Sequence, residues 1–321
     1  MNVKLLPEIV KDTKQMRAHY SAGIVKMIED GKPVIALDAD LMRAVGLLPY
    51  KNSHPENIFD CGIAEANMIG VACGLSAEGF VPFAHSFAAF ASRRDFDQVY
   101  MSGGYAKLNV KVVGSDPGVA SALNGGTHQA NEDMALMRAI PNMTVIDFTD
   151  AAMLNNLLPK IADTYGMFYL RLFRLEAERI YDDSSDFEIG KAITCRQGSD
   201  ATIIACGLEV AEAIKASDIL RREGISVRVL DMFTVKPIDR AAVIAAARET
   251  GAIVTAENHN VVGGLGAAVA EVVCDEFPVP MGRIGIQDIY GEVGFTPLLM
   301  ERFKLTAADI AEKVRETIAK K

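Results

Sequence analysis

Glu65 is the only charged residue in the run Cys61-Gly-Ile-Ala-Glu-Ala-Asn-Met-Ile-Gly-Val-Ala-Cys-Gly-Leu-Ser-Ala77, which reads as a helix apolar on nearly every side. Such a helix is ordinarily buried, and a buried carboxylate needs a partner for its charge or its proton. The chemistry on offer is acid–base exchange. The plainer reading places Glu65 in a first helical turn, favoured there by the dipole and facing water; spacing alone leaves both open. Residues 81–90 end in Phe87 and Phe90, three apart and on one face of any helix that has begun. By themselves they are core residues. Residues 114–129 form a long glycine-rich loop between a strand and a helix, where open α/β sheets bind ligands. His128 sits there in Gly-Gly-Thr-His-Gln, with Glu132 and Asp133 just beyond it. A lone loop histidine is more often ordinary than functional.

Positioning these residues requires a sheet. Short β-branched runs alternate with amphipathic stretches, the pattern of parallel strands joined by crossover helices, so the class is α/β. Strands are expected at 34–37, 57–61, 81–85, 110–114, 144–148 and 168–172, and helices near 14–29, 64–77, 88–103, 131–139 and 151–163. These make a parallel-sheet domain over residues 1–180. The polar stretch Tyr181-Asp-Asp-Ser-Ser-Asp186 opens a connector over 181–191. A smaller α/β domain follows over 192–321, with strands at 201–206, 227–231 and 252–256 and helices near 208–223 and 238–248. In it, Gly263-Gly-Leu-Gly266 invites comparison with a dinucleotide loop. Counted from Gly264, however, the third small residue of that fingerprint falls on Val269. A glycine-rich helix start packed closely on its neighbour is the better reading.

The 321 residues exceed the roughly 150 of a typical domain, and half are apolar, enough for closed cores. No apolar run approaches the roughly 20 residues of a membrane span. With 33 Lys+Arg against 42 Asp+Glu the net charge is −9, without a basic block, so the footprint of a nucleic-acid binder is missing. Five scattered cysteines, none in a CxxC pair, suggest reduced thiols rather than disulfides or a metal site. The first residues lack the apolar stretch of a signal peptide, and a cytoplasmic location is expected.

Four segments together resemble one family: GIAEANMIGVACGLSAEGFVPFAHSFAAF at 62–90, FDQV at 96–99, GGTHQ at 125–129 and MRAIPNMTVIDFTDA at 137–151. They look like the pyrimidine-binding domain of transketolases and their thiamine-diphosphate relatives, and ENHNVVGGLGAAVAE at 257–271 resembles the same family's C-terminal domain. The resemblance implies that Glu65 shares a proton with the pyrimidine nitrogen N1′ of thiamine diphosphate, that Phe90 stacks on that ring and that Phe87 lines its pocket. Asp40 resembles an acidic residue near the cofactor, and His128 the family's substrate-binding histidine. Arg174 falls where transketolases hold the terminal phosphate of a sugar, with Arg17 as a second clamp; a guanidinium fork suits an oxyanion. Strand alternation sets Arg171 on the opposite face from Arg174. Asn124 stands where the family has an acid beside the acceptor's hydroxyl, which implies a different sugar preference.

The family binds the diphosphate and its Mg²⁺ in a further domain marked by Gly-Asp-Gly, a tripeptide absent from this chain. The resemblance therefore implies the second subunit of a split transketolase, with no metal ligands of its own. An N-terminal transketolase subunit would supply the metal half, two copies of each chain assembling together. Competing readings are the β chain of a 2-oxo acid dehydrogenase's decarboxylating component, half of a deoxyxylulose-phosphate synthase, a catalytically dead partner that keeps the fold, and a plain NAD-binding protein.

Overall fold

The computed structural model describes residues 2–321. The order is β1 (Leu5–Lys11), α1 (Met16–Glu29), β2 (Val34–Asp38), α2 (Met42–Val45), β3 (Ile58–Asp60), α3 (Glu65–Ala77), β4 (Val81–Phe87), α4 (Phe90–Arg93), β5 (Lys111–Ser115), α5 (Asp133–Ala139), β6 (Thr144–Asp147), α6 (Ala151–Asp163), β7 (Phe168–Leu172) and β8 (Glu178–Tyr181). There follow β9 (Ile193–Arg196), β10 (Ala201–Ala205), α7 (Glu209–Arg222), β11 (Val227–Asp231), β12 (Thr234–Lys236), α8 (Arg240–Thr250), β13 (Ile253–Asn260), α9 (Leu265–Glu276), β14 (Met281–Ile286), α10 (Thr296–Arg302) and α11 (Ala307–Ile318).

A seven-stranded sheet runs β12-β6-β7-β5-β4-β2-β3, parallel except for β12. Every residue of β2, β4, β5 and β7 is buried, because helices cover both faces of a parallel sheet. One face carries Met16, Tyr20 and Ile24 of α1 with Leu154, Leu157 and Ile161 of α6. The other carries Met68, Ile69 and Ala72 of α3 with Met134 and Met137 of α5. A second sheet, β14-β13-β10-β11-β9, is parallel except for β9. Its outer helix α11 starts on a capping box in which Thr306 and Asp309 satisfy each other's backbone N–H groups.

The six strands read from the first part of the sequence are all present, but four features differ from expectation. The helix expected over 88–103 is split into α4 and a π-helical segment, Gln98–Tyr105. There Gly103 and Gly104 lie so close to Met167 and Ile140 that a Cβ would meet them at 2.5 and 3.0 Å. Phe87 ends β4 and Phe90 begins α4, so the two rings do not share a helical face. The stretch read as a polar connector begins with Tyr181, the buried last residue of β8, which pairs antiparallel with β1. Finally, β12 is contributed by the second half of the chain to the first sheet, through antiparallel pairing with β6. Among the described residues, no helix is long and apolar enough to cross a membrane.

Candidate active site

Parallel strands deliver their C-terminal ends to one edge, and three adjacent ends are tied together there. His85 Nδ1 lies 2.6 Å from Asp38 Oδ2 and its Nε2 lies 2.9 Å from Ser115 Oγ, all three side chains being fully buried. The trio lines neither of the two clefts above this edge, so it braces β2, β4 and β5 rather than attacking a ligand.

The first cleft, of about 290 Å³, is lined by Asp40, Ile63, Glu65, Phe87, Phe90, Arg94 and His128, together with Ala39 and Leu41. Glu65 is the first residue of α3 and only 3% exposed. Ser86 Oγ donates to its Oε1 at 3.3 Å, and Arg94 Nη1 donates to Oε1 and Oε2 at 3.0 and 3.2 Å. The Arg94 guanidinium also lies 4.0 Å above the Phe90 ring. His128 meets Phe90 and Phe87 edge-on, with centroids 5.1 and 5.9 Å away. Asp40 sits at the rim in a left-handed conformation, its N–H donating to Asp60 Oδ1 at 3.1 Å.

A larger cavity of about 660 Å³ lies between the two halves of the chain, with Asn124, Ser121, Phe173, Arg174 and Phe295 on its walls. Arg174 joins it to the first cleft, its guanidinium 5.0 Å from the Phe87 ring. Asp116, buried at the end of β5, accepts the Arg174 backbone N–H at 3.0 Å and pairs with its Nε. Burial pushes the Asp116 carboxyl up to about 6 even against the pull of Arg174.

Seven of the eight site residues read from the sequence thus line these two clefts. Arg17 does not. Its Nε donates to Gln15 at 2.7 Å and its Nη1 to the carbonyls of Arg43 and Ala44 at 3.3 and 3.4 Å, which ties two of its three nitrogens to the chain away from both clefts. Arg171 has partners different from those of Arg174 and does not reach solvent: fully buried, it donates to Asp133 at 2.7 Å, Asp147 at 2.6 Å and the Asn258 carbonyl at 3.0 Å.

Sequence reasoning missed Arg94 and Asp116. Arg94 is embedded in Arg93-Arg94-Asp95, a charged triplet interrupting an apolar stretch, and that interruption was the available signal. It also missed how the C-terminal half holds the loops that follow β5. Asn258 accepts the Val119 N–H at 2.9 Å and donates to the Pro117 carbonyl at 2.9 Å. Gln129 donates to the Glu292 carbonyl at 2.7 Å, and Gly126 lies so near Gly291 that a Cβ would meet its oxygen at 2.3 Å. At α9 the Glu257 carboxyl accepts the N–H groups of Leu265 and Gly266 at 2.6 and 2.7 Å. An internal carboxylate therefore fills the place where a dinucleotide phosphate would bind.

The cleft suits a flat nitrogenous ring, with two aromatic side chains, a buried carboxyl and an imidazole among the residues that line it. Family models for the transketolase pyrimidine binding domain and the transketolase C-terminal domain match residues 12–178 and 190–310. The 6-deoxy-6-sulfo-D-fructose transketolase subunit SqwH of Clostridium sp. (strain MSTE9) is 47% identical over 98% of each chain. An apulose-4-phosphate transketolase subunit of Phocaeicola vulgatus is 36% identical over 85% of this chain and 87% of its own. The solved structure of a split gene transketolase, an inactive β4 tetramer, superposes with a TM-score of 0.89 at 40% identity, covering 96% of this chain and 99% of that one. With two family models spanning most of its length and a relative 47% identical over 98% of each chain, the chain belongs to the transketolase family.

Proposed function

We propose that this chain is the pyrimidine-binding subunit of a two-chain transketolase that moves a two-carbon ketol unit from an anion-bearing ketose to an aldose. The observation that carries the reading is Glu65, buried at the start of α3 and facing the same cleft as Phe90, in a chain with no Gly-Asp-Gly. Residues 1–180 form the pyrimidine-binding unit, 181–191 the connector and 192–321 the C-terminal domain. Thiamine diphosphate, when bound, supplies the carbon centre that carries the two-carbon fragment. Glu65 holds or moves a proton at N1′, a hydrogen bond strengthened by the low local dielectric. Phe90 stacks on the ring and Phe87 closes its side, while Asp40 stands at the rim. His128 hydrogen-bonds a sugar oxygen beside the reacting carbon.

Substrate choice follows from the second cavity. The Clostridium and Phocaeicola relatives are named for a sulfonated and a phosphorylated ketose, and the Arg174 fork suits either oxyanion. Asn124 is an uncharged amide that both donates and accepts, so the acceptor's hydroxyl configuration is read differently than by an acid. The relatives are named as subunits, which supports a separate N-terminal chain holding the diphosphate and Mg²⁺. Two copies of each chain form the assembly, in the cytoplasm, where the five unpaired cysteines remain reduced.

The test reconstitutes this chain with its partner and replaces Glu65 by Gln. Hydrogen–deuterium exchange at the cofactor's C2 should slow by about 10²–10⁴-fold, the usual contribution of a positioned acid–base group. An unchanged rate removes Glu65 from the reaction. Ketol transfer by this chain alone, with metal and cofactor but no second polypeptide, overturns the two-chain reading.

A further inference from the structure

We propose that Arg94 is a built-in surrogate for the aminopyrimidine ring, occupying the ring's place between Glu65 and Phe90 and leaving when the cofactor enters. The inference rests on the pyrimidine-pocket reading above. A guanidinium is flat and presents N–H donors along its edge. Here its central carbon lies 4.0 Å from the centre of the Phe90 ring and one nitrogen reaches both oxygens of Glu65, at 3.0 and 3.2 Å. Those are the two surfaces, one aromatic face and one carboxylate, that a nitrogenous ring in this cleft needs. Both ligands cannot hold them at once.

The asymmetry of exposure says which group moves. The Glu65 side chain is 3% exposed and fixed at a helix start, whereas that of Arg94 is 48% exposed, just past the end of the four-residue α4. Arg94 can swing into water; Glu65 cannot. The surrogate also has a reason to exist. Without it the buried Glu65 carboxyl would keep only the Ser86 hydroxyl at 3.3 Å, near Asp95, whose two oxygens are buried without a hydrogen-bond partner, and a buried polar group short of partners is costly. The neighbouring Arg93 cannot substitute, because it donates to the carbonyls of Ala89 and Thr127 at 3.0 and 3.1 Å and pairs with Glu132.

The test titrates the full chain with thiamine, which probes the pyrimidine end alone, by isothermal calorimetry. Arg94→Ala should tighten binding about tenfold, the combined worth of a half-exposed ion pair and a cation–π contact. Arg94→Lys, which keeps the charge but loses the flat face, should tighten it less. Arg248→Ala, which removes a distant arginine lying 5.8 Å from the Phe277 ring, should change nothing. Binding by Arg94→Ala that is equal to or weaker than wild type, including no binding by either, overturns the inference. Phe90→Ala, made in both backgrounds, separates the two readings. If it leaves thiamine binding unchanged, the pocket itself is misassigned; if it weakens binding while Arg94→Ala does not strengthen it, only the surrogate role fails.

Discussion

Arg174 and Asp116 have to be considered as a pair, because removing the arginine alone strands a buried carboxyl. The informative substitution is therefore Arg174→Gln, whose amide still donates to Asp116. It should raise KM for phosphorylated or sulfonated ketoses about ten- to hundredfold, the loss of one charge-assisted hydrogen bond, and leave short uncharged aldehydes nearly unaffected. Equal weakening of both substrate classes in steady-state kinetics would remove the anion role. Asp95 makes a second claim. Burial raises its carboxyl to about 7, so the folded state holds a proton that the unfolded chain releases near its ordinary value of 3.8. The stability it lends is present in full below that ordinary value and is lost as pH rises through about 7. Asp95→Asn should flatten the dependence of Tm on pH between 3.8 and about 7, and an unaltered slope measured by calorimetry would show that Asp95 is ionised when folded.

Helix α3 is apolar all round, which predicts full burial, yet Asn67, Gly70, Val71 and Gly74 form an exposed stripe. A Cβ at Gly70 or Gly74 would meet nothing within 4 Å, although each glycine costs the helix about 1 kcal/mol relative to alanine. Nothing inside the chain requires these glycines. Exposed Ile63, Tyr100 and Met101 extend the apolar surface, and Glu65 opens the same helix. A stripe of small and apolar side chains lets another polypeptide approach closely. Val71→Asp should leave the melting temperature of the protomer unchanged while lowering the mass seen by light scattering. Retention of the wild-type mass would move the interface elsewhere.

The two halves of the chain are joined by more than a connector. Arg171 of the first sheet reaches Asp133, Asp147 and the backbone of Asn258, while Tyr181 donates to Asp231 at 2.7 Å. Asn258 in turn holds the loop at 117–119. Arg171→Met leaves Asp133 and Asp147 buried without their cation and should cost about 3–5 kcal/mol, read as a lowered urea midpoint. Asn258→Ala should perturb the substrate loop more than the fold, raising KM with a small change in Tm; a large loss of Tm with an unchanged KM would make Asn258 purely structural.

The strands of the first sheet were legible because a parallel strand buried on both faces reads as a short apolar run, as in Val-Ile-Ala-Leu of β2. The helix start at Glu65 was legible because one charge in an apolar helix is conspicuous. Phe90 and His128 were singled out on separate motifs, at 62–90 and 125–129, and the structure sets their ring centroids 5.1 Å apart. The three-residue β12 was not legible, being too short to show a period, and neither was the exposed stripe of α3, since composition reports how apolar a helix is but not which neighbours cover it. Arg94, Asp116 and Asn258 were hidden for a further reason. The role of a polar side chain is set by partners that folding brings near: Arg94 meets Glu65 across 29 residues, and Asn258 meets Val119 across 139. Local periodicity carries the pattern of burial, whereas pairing between distant polar groups exists only once the sheets have closed over them.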